Sequence, residues 1–533
     1  PYDFKRGNMK LIDNKAVHIT VSEQVGKNIA GNIEKAEIVK KHKDKNLVDV
    51  LVNWGINEMT LLNQVVKFKT NLPSPIVKEY DWPGLYKPFD HQRVTSEFLS
   101  INPKAFCFNE AGTGKTSSVL WSADYLMNLG LVKRVLVICP LSIMYSAWQN
   151  DIFNTCMHRT SAVCHGSADK RKTIIEGSYE FVIINYDGVN IVKEAIKKGG
   201  FDLIVIDEAN AYKSTSTSRW KTISKILTLD TRLWMLTGTP ASQSPMDAYG
   251  IAKLVAPERV PKFTNAWRDK VMHQISRFKW LPRPDSKHKV FDALQPAIRF
   301  AKAQCLDLPD VMYQTREIPL TTQALSYYKE LKNQMLIETG GESVTAVNAA
   351  AGLNKLLQIS GGAVYTDTKE VIEFDIKPRL NALMEAVEET EHKVLVFVPY
   401  RHTITLVADH LTKNNISNEL IHGDVKATER ASLINRFQTE DNPRVLVVQP
   451  QSASHGVTLT RANVVLFWSP VMSVEVYLQC IARMDRVGQV NKMTVVHLQG
   501  SDVEKRMYRM LQGKVDSHIK LVDLYREELE NVS

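Results

Sequence analysis

Apolar residues along this chain gather into short continuous runs instead of alternating with polar ones. In the first half the runs are Ala105–Phe108, Val135–Cys139, Phe181–Ile184, Leu203–Ile206 and Leu233–Leu236. In the second half they are Val394–Val398, Val445–Val448, Val464–Phe467 and Thr494–His497. A run without period-2 alternation suits a strand covered on both faces, as in a parallel sheet. Helix-patterned stretches separate the runs, and strand–helix alternation predicts α/β layers. The pattern occurs twice, so the expected fold class is α/β: two parallel-sheet lobes, 81–255 and 376–510, with a cleft between them. Residues 256–375 read as a mostly helical insertion or linker, and 511–533 as a C-terminal helix.

The first 80 residues break this pattern. Lys40, Lys41, Lys43 and Lys45 make a basic stretch that reads as a solvated helix face or, alternatively, a DNA contact. Asn71-Leu-Pro-Ser-Pro-Ile76 reads as a linker, which makes 1–80 a small N-terminal accessory domain.

Composition narrows the class. The chain has 533 residues, 44% hydrophobic and 23% charged, enough apolar content to offset the entropy of ordering and to exclude intrinsic disorder. A net charge of +9 favours a polyanionic partner without specifying one. Six cysteines with no CxxC pair exclude a disulfide framework and fit a reducing compartment. Cys156, His158, Cys164 and His165 cluster in sequence, but their spacing matches no common zinc pattern; they read as loop residues, with a metal site as the alternative. No apolar run approaches the ~20 residues of a membrane helix. The polar start, Pro1 to Lys10, lacks a signal-peptide core. The expectation is a soluble protein of the cytoplasm.

Candidate chemistry begins at Asn109-Glu-Ala-Gly-Thr-Gly-Lys-Thr116, between a predicted strand and a predicted helix, Ser117–Leu129. This is the setting of a phosphate-binding loop. Gly112, Thr113 and Gly114 let the backbone curl so that N–H groups face phosphates at a helix N-terminus. Lys115 would neutralise the β- and γ-phosphates, and Thr116 would offer a hydroxyl to Mg²⁺. The strict pattern asks for glycine at Asn109, and asparagine tolerates a left-handed backbone better than most residues. Further on, the buried run Leu203–Ile206 leads directly into Asp207-Glu-Ala-Asn210. Two carboxylates at such a strand end rarely serve packing. Asp207 can hold Mg²⁺, and Glu208 can orient or deprotonate an attacking water. A third element is Arg483-Met-Asp-Arg486. On a helix, residues three apart share a face, so both guanidinium groups could point into the cleft and stabilise the transferring phosphoryl group.

These residues, in this order, resemble superfamily 2 helicases, and specifically Swi/Snf-type DNA translocase ATPases built on two RecA-like lobes. The resemblance covers roughly 85–500. Leu85-Tyr-Lys-Pro-Phe-Asp-His-Gln92 is similar to the adenine-reading motif, with Gln92 as reader. Val137-Ile-Cys-Pro-Leu-Ser142 and Trp148 are similar to a motif that touches the DNA backbone in the family. Asp207–Asn210 with Lys213, and Leu236-Thr-Gly-Thr-Pro240, match the second and third motifs. Leu308-Pro-Asp-Val-Met and Tyr327-Tyr328 resemble the segment leading into the second lobe. Phe397-Val-Pro-Tyr-Arg401, Ser454-His-Gly-Val-Thr-Leu459 and the Arg-x-x-Arg-x-Gly-Gln ending at Gln489 fill the later motifs. The resemblance implies coupling roles for Asn210, Thr237, Thr239, Gly456, Gln479 and Gln489, and DNA contacts at Ser142, Lys213 and Arg401.

Three departures stand out: Asn210 and Asp485 where the family usually has histidine, and His455 where remodellers commonly have glycine. No chromatin-reading module, nuclease motif or long insertion is visible, so the resemblance points to compact phage or bacterial members and the annealing-helicase branch. Arg277, Lys279, Trp280, Arg283, Lys287, His288 and Lys289 interleave basic residues with an aromatic, a further candidate DNA grip or an anchored loop. No base-reading helix is evident. The expectation is an ATP- and Mg²⁺-dependent translocase on double-stranded or branched DNA, without sequence preference, monomeric, acting at the nucleoid of a bacterial or phage-infected cell. A strand-separating helicase and a nucleotide-gated DNA-binding scaffold are the alternatives.

Overall fold

The structure, a computed structural model, describes residues 9–42, 45–66, 72–241, 244–276, 279–305, 308–338, 346–366, 370–453 and 457–513. It divides into two units, Pro1–Cys305 and Leu306–Ser533.

In the first unit, seven strands form one parallel sheet. Their order is Ala297–Ile298, Lys104–Cys107, Arg232–Leu236, Leu203–Ile206, Val135–Cys139, Phe181–Asn185 and Ser161–Cys164. Val135–Cys139 and Leu203–Ile206 are buried along their whole length, as their unbroken apolar runs require. Each such side chain withdrawn from water contributes about 1.5–3 kcal/mol. The strands run parallel, so their carboxyl ends share one edge, where the loops carrying charged residues emerge.

The N-terminal region is an antiparallel sheet ordered Met9–Ile12, Ala16–Ser22, Leu47–Asn53, Ala36–His42. Val17, Ile19 and Val21 face inward opposite Val52, Val50 and Val48. Lys40 and Lys41, read as a helix face, instead lie on the edge strand Ala36–His42, where lysine discourages pairing with another chain; Lys43 lies outside the described residues. The Pro-marked segment is no solvated linker. Leu72, Ser74 and Ile76 are fully buried, and the Trp54 indole donates to the Pro73 carbonyl at 2.9 Å. A single core therefore runs from Val17 through Leu72 to Leu99, Trp121 and Val137.

The second unit holds a six-stranded parallel sheet ordered Val311–Glu317, Met493–Gln499, Ala462–Phe467, Lys393–Phe397, Val445–Val448, Asn418–Ile421. Behind it, the Arg379 Nη2 donates to both Glu504 carboxylate oxygens at 2.6 Å, and both residues are buried. Residues 256–375 are shared between the units, and helix outweighs strand among their described residues. They combine helices such as Thr322–Glu338 and Ala346–Gly361 with the hairpins Met272–Ser276/Lys279–Pro282 and Ala363–Tyr365/Val371–Glu373. The last described helix is Asp502–Leu511; the helix expected over 511–533 falls almost entirely outside the described residues.

Candidate functional site

Strand register alone brings the first-unit residues together. Cys107 pairs with Leu236, and Met235 with Ile206, so the segments after Lys104–Cys107, Arg232–Leu236 and Leu203–Ile206 leave the same edge one strand apart. Strands lie about 4.8 Å apart, which puts the phosphate loop, Thr237 and Asp207 within roughly 10 Å of one another. The Thr237 amide donates to the Cys107 carbonyl at 3.1 Å, tying the third motif to the root of the loop.

The loop curls through Gly112 (φ +86°) and Gly114 (φ +73°) into the helix Lys115–Asn128. A Cβ on Gly114 would sit 2.2 Å from the Gln92 amide nitrogen, so glycine is required twice over, by backbone and by contact. Gln92 Nε2 donates to the Gly114 carbonyl at 3.1 Å, while its Oε1 accepts from the Phe89 amide at 2.9 Å. His91 Nε2 meets the Thr113 carbonyl at 2.8 Å, a loop support that the sequence reading missed. Thr113 is buried and its hydroxyl donates to Glu110; Thr116 opens the helix, half-buried. Asn109 is not left-handed. Its side chain earns the position instead, donating to Thr95 Oγ1 at 2.8 Å and accepting from the Phe300 amide at 3.0 Å. Lys115 Nζ rests on the carbonyls of Asn109 (2.8 Å) and Glu110 (3.3 Å), a position from which an arriving phosphate can draw it.

Asp207 and Glu208 are both half-buried. Trp148 Nε1 donates to Asp207 Oδ2 at 2.9 Å, and the Glu208 amide donates to Oδ1 at 2.9 Å. Tyr186 Oη donates to the Asp207 carbonyl at 2.7 Å and lies 3.3 Å from that of Glu208. Burial first, then the charges of Asp207 and Glu208, pushes the Tyr186 hydroxyl well above its ordinary pKa, so it stays a donor. Glu208 is left-handed (φ +49°), a backbone conformation that costs a non-glycine residue about 1–2 kcal/mol. Asn210 Nδ2 donates to the Thr239 carbonyl at 3.1 Å and lies 3.3 Å from its hydroxyl, joining second and third motifs.

Other expectations meet different surroundings. Trp148 was placed at the DNA backbone by resemblance, yet it is fully buried and bonded to Asp207. Ser142 is half-buried. Lys213 pairs with Asp247 at 3.5 Å, and Arg401 with Asp424. The Arg268 guanidinium lies 4.4 Å from the Trp280 ring centre, and Arg283 Nε donates to the carbonyls of Asp269 and Met272, so both residues anchor the hairpin. Cys156 is buried against the Leu120 carbonyl, His158 bonds the buried Asp124 at 2.9 Å, and among the described residues no group of side chains is suited to hold a metal by itself.

In the second unit the helix Val474–Ile481 ends before the arginines, which occupy a turn and not a helix face. Arg483, buried, donates to the Gln479 carbonyl at 2.7 Å and to that of Val457 at 3.3 Å; Arg486 reaches the same Val457 carbonyl at 3.2 Å. The two arginines therefore share one backbone acceptor, the Val457 carbonyl. Gln489 is buried and donates to Ala462 (2.8 Å) and Thr460 (3.3 Å), bracing the turn. Gln479 lies 3.4 Å from Glu475, and Gly456 lies outside the described residues.

Comparison with known proteins identifies the family. The chain matches the SNF2-related domain over residues 95–367 and the helicase conserved C-terminal domain over 378–488. It is 24% identical over 490 residues to the chromodomain-helicase-DNA-binding protein 1-like of Danio rerio, covering 87% of this chain and 46% of that protein. It is 26% identical over 436 residues to the putative protein p41 of Acyrthosiphon pisum secondary endosymbiont phage 1, covering 77% and 92%. The chain thus spans about half the length of the chromodomain relative and nearly all of the phage protein. A solved SWI2/SNF2 ATPase core of Sulfolobus solfataricus in complex with dsDNA is 20% identical, covers 85% of this chain and 98% of its own, and superposes with a TM-score of 0.42. No helix among the described residues is long and apolar enough to cross a membrane.

Proposed function

This chain belongs to the SNF2-related family of helicase-class ATPases, and on that premise we propose that it hydrolyses ATP to move along double-stranded or branched DNA without sequence preference. The observation that carries the reading is the convergence of Lys115, Asp207, Glu208, Asn210, Thr237 and Thr239 at one sheet edge. The left-handed glycines, the helix N-terminus and Lys115 form a cradle that fits a triphosphate.

Lys115 exchanges its carbonyl partners for the β- and γ-phosphates. Gln92 reads the adenine. Thr116 and Asp207 would hold Mg²⁺, which supplies charge neutralisation at the phosphates. Glu208 orients the attacking water or takes its proton, from a backbone pinned by Tyr186. Arg483 and Arg486 stabilise charge on the transferring phosphoryl group. Asn210, bonded to Thr239, passes the change at the second motif to the third. DNA contacts fall to Ser142, Lys213 and Arg401, with Lys213 and Arg401 each leaving a carboxylate for a phosphate. We place the protein, as a monomer, at the nucleoid of a bacterial or phage-infected cell.

The test is steady-state ATP hydrolysis with single-stranded, duplex and forked DNA and with RNA. Duplex or forked DNA is expected to stimulate most, and Glu208→Gln to remove the stimulated rate. Equal stimulation by RNA overturns the reading.

A further inference from the structure

Trp148 is fully buried and hydrogen-bonded to the candidate catalytic dipeptide, and its position on the chain is unusual. It lies on a π-helical turn, Met144–Gln149, which directly continues the 3₁₀ turn Leu141–Ile143 at the end of the strand Val135–Cys139. Single π-helical turns are rare and concentrate at functional sites, because an i→i+5 turn stores an extra residue that an i→i+4 turn would expel. Loss of that residue rotates everything downstream by ~100° about the helix axis. A buried indole N–H needs an acceptor. Here the acceptor is Asp207 Oδ2, and with the Glu208 amide on Oδ1 the two donors fix the plane of the carboxylate. Seven and six residues upstream, the preceding 3₁₀ turn presents exposed Leu141 and half-buried Ser142.

We propose that Trp148 is a positioning residue for Asp207, and that the π-helical turn transmits nucleic-acid contact at Leu141–Ser142 to the metal-holding carboxylate. This rests on the reading of Asp207 as the Mg²⁺ carboxylate and of Ser142 as a DNA contact. Contact that tightens or slackens the turn rotates the indole, and the carboxylate that the indole orients follows. DNA binding is thereby felt at the phosphate site within one unit, before any movement of the second.

The experiment titrates Mn²⁺, followed by electron paramagnetic resonance, into full-length protein with a non-hydrolysable ATP analogue, with and without duplex DNA. Trp148→Phe keeps an aromatic ring and removes the N–H. The expected result is Mn²⁺ affinity weakened about 10–100-fold, the usual loss when a group that orients a ligand is removed. Duplex DNA tightens Mn²⁺ binding to the wild type and leaves the variant unaffected. Unchanged affinity, DNA tightening that survives the substitution, or a wild type indifferent to DNA each overturns the proposal. If Trp148→Phe fails to unfold cooperatively, benzothienylalanine at 148, which keeps the bicyclic shape without the N–H, gives the same readout. ATP turnover of the wild type with duplex DNA, measured on the same preparation, reports separately on the translocase reading.

Discussion

Two carboxylates, one in each unit, are held in opposite ways. Glu504 accepts both of its short bonds from the Arg379 guanidinium and takes the amides of Gly500 and Ser501 besides, so its charge is neutralised where it sits. Asp207 accepts from the Trp148 indole and the Glu208 amide, two donors that carry no net charge. A buried cation–carboxylate pair is a structural clasp, whereas donors such as an indole and an amide fix the orientation of a carboxylate. The arginines differ too: Arg379 donates to a carboxylate, while Arg483 and Arg486 both donate to the Val457 backbone carbonyl.

This contrast can be broken by substitution. Arg486→Ala carries the largest expected effect, a fall of about 10³–10⁵ in DNA-stimulated kcat with ATP binding little altered, measured by steady-state kinetics. A mild loss would make Arg486 a structural residue like Arg379. Glu208→Gln is expected to lower kcat by about 10²–10⁴ while thermal stability holds or rises, since one of two adjacent carboxylates is neutralised and the backbone is unchanged. Glu504→Ala should do the reverse: about 3–5 kcal/mol lost from denaturant unfolding, because Arg379 is left buried and unpaired. Replacing both partners with apolar residues of similar volume should recover most of that loss.

The smallest effect concerns Glu97, whose carboxyl is raised to about 7 by burial, against a weaker lowering by the Ser74 backbone. The folded state holds this proton more tightly than the unfolded chain, so stability is full below about pH 4.5 and declines as pH rises toward 7. Glu97→Gln should therefore raise Tm at pH 8 by about 2 °C and leave it unchanged at pH 4. A pH-independent gain would mean that packing, not the proton, is responsible.

Much of this was legible in the sequence because burial on both faces writes itself as continuous apolar runs. Val135–Cys139, Leu203–Ile206 and Val445–Val448 form strands with the expected bounds. The phosphate loop and Asp207-Glu208 were legible because their residue types follow directly on such runs. The strand Ala36–His42 was hidden by its lysines, although Ala36 and Ile38 alternate with Glu37 in strand period. The arginine turn was misread as helix because the acceptor that shapes it, the Val457 carbonyl, lies 26 and 29 residues away. Trp148 is linked to DNA by resemblance alone, and its bond to Asp207, 59 residues distant, has no local sequence signal.

The central claim is that hydrolysis at Asp207 and Glu208 drives movement along intact duplex. Triplex displacement measures this directly, since a third strand is removed by a motor that tracks the duplex without opening it. The wild type with ATP should release the third strand, and Glu208→Gln or ADP should not. Release without hydrolysis, or an ATP-hydrolysing wild type that leaves the triplex intact, would contradict the account.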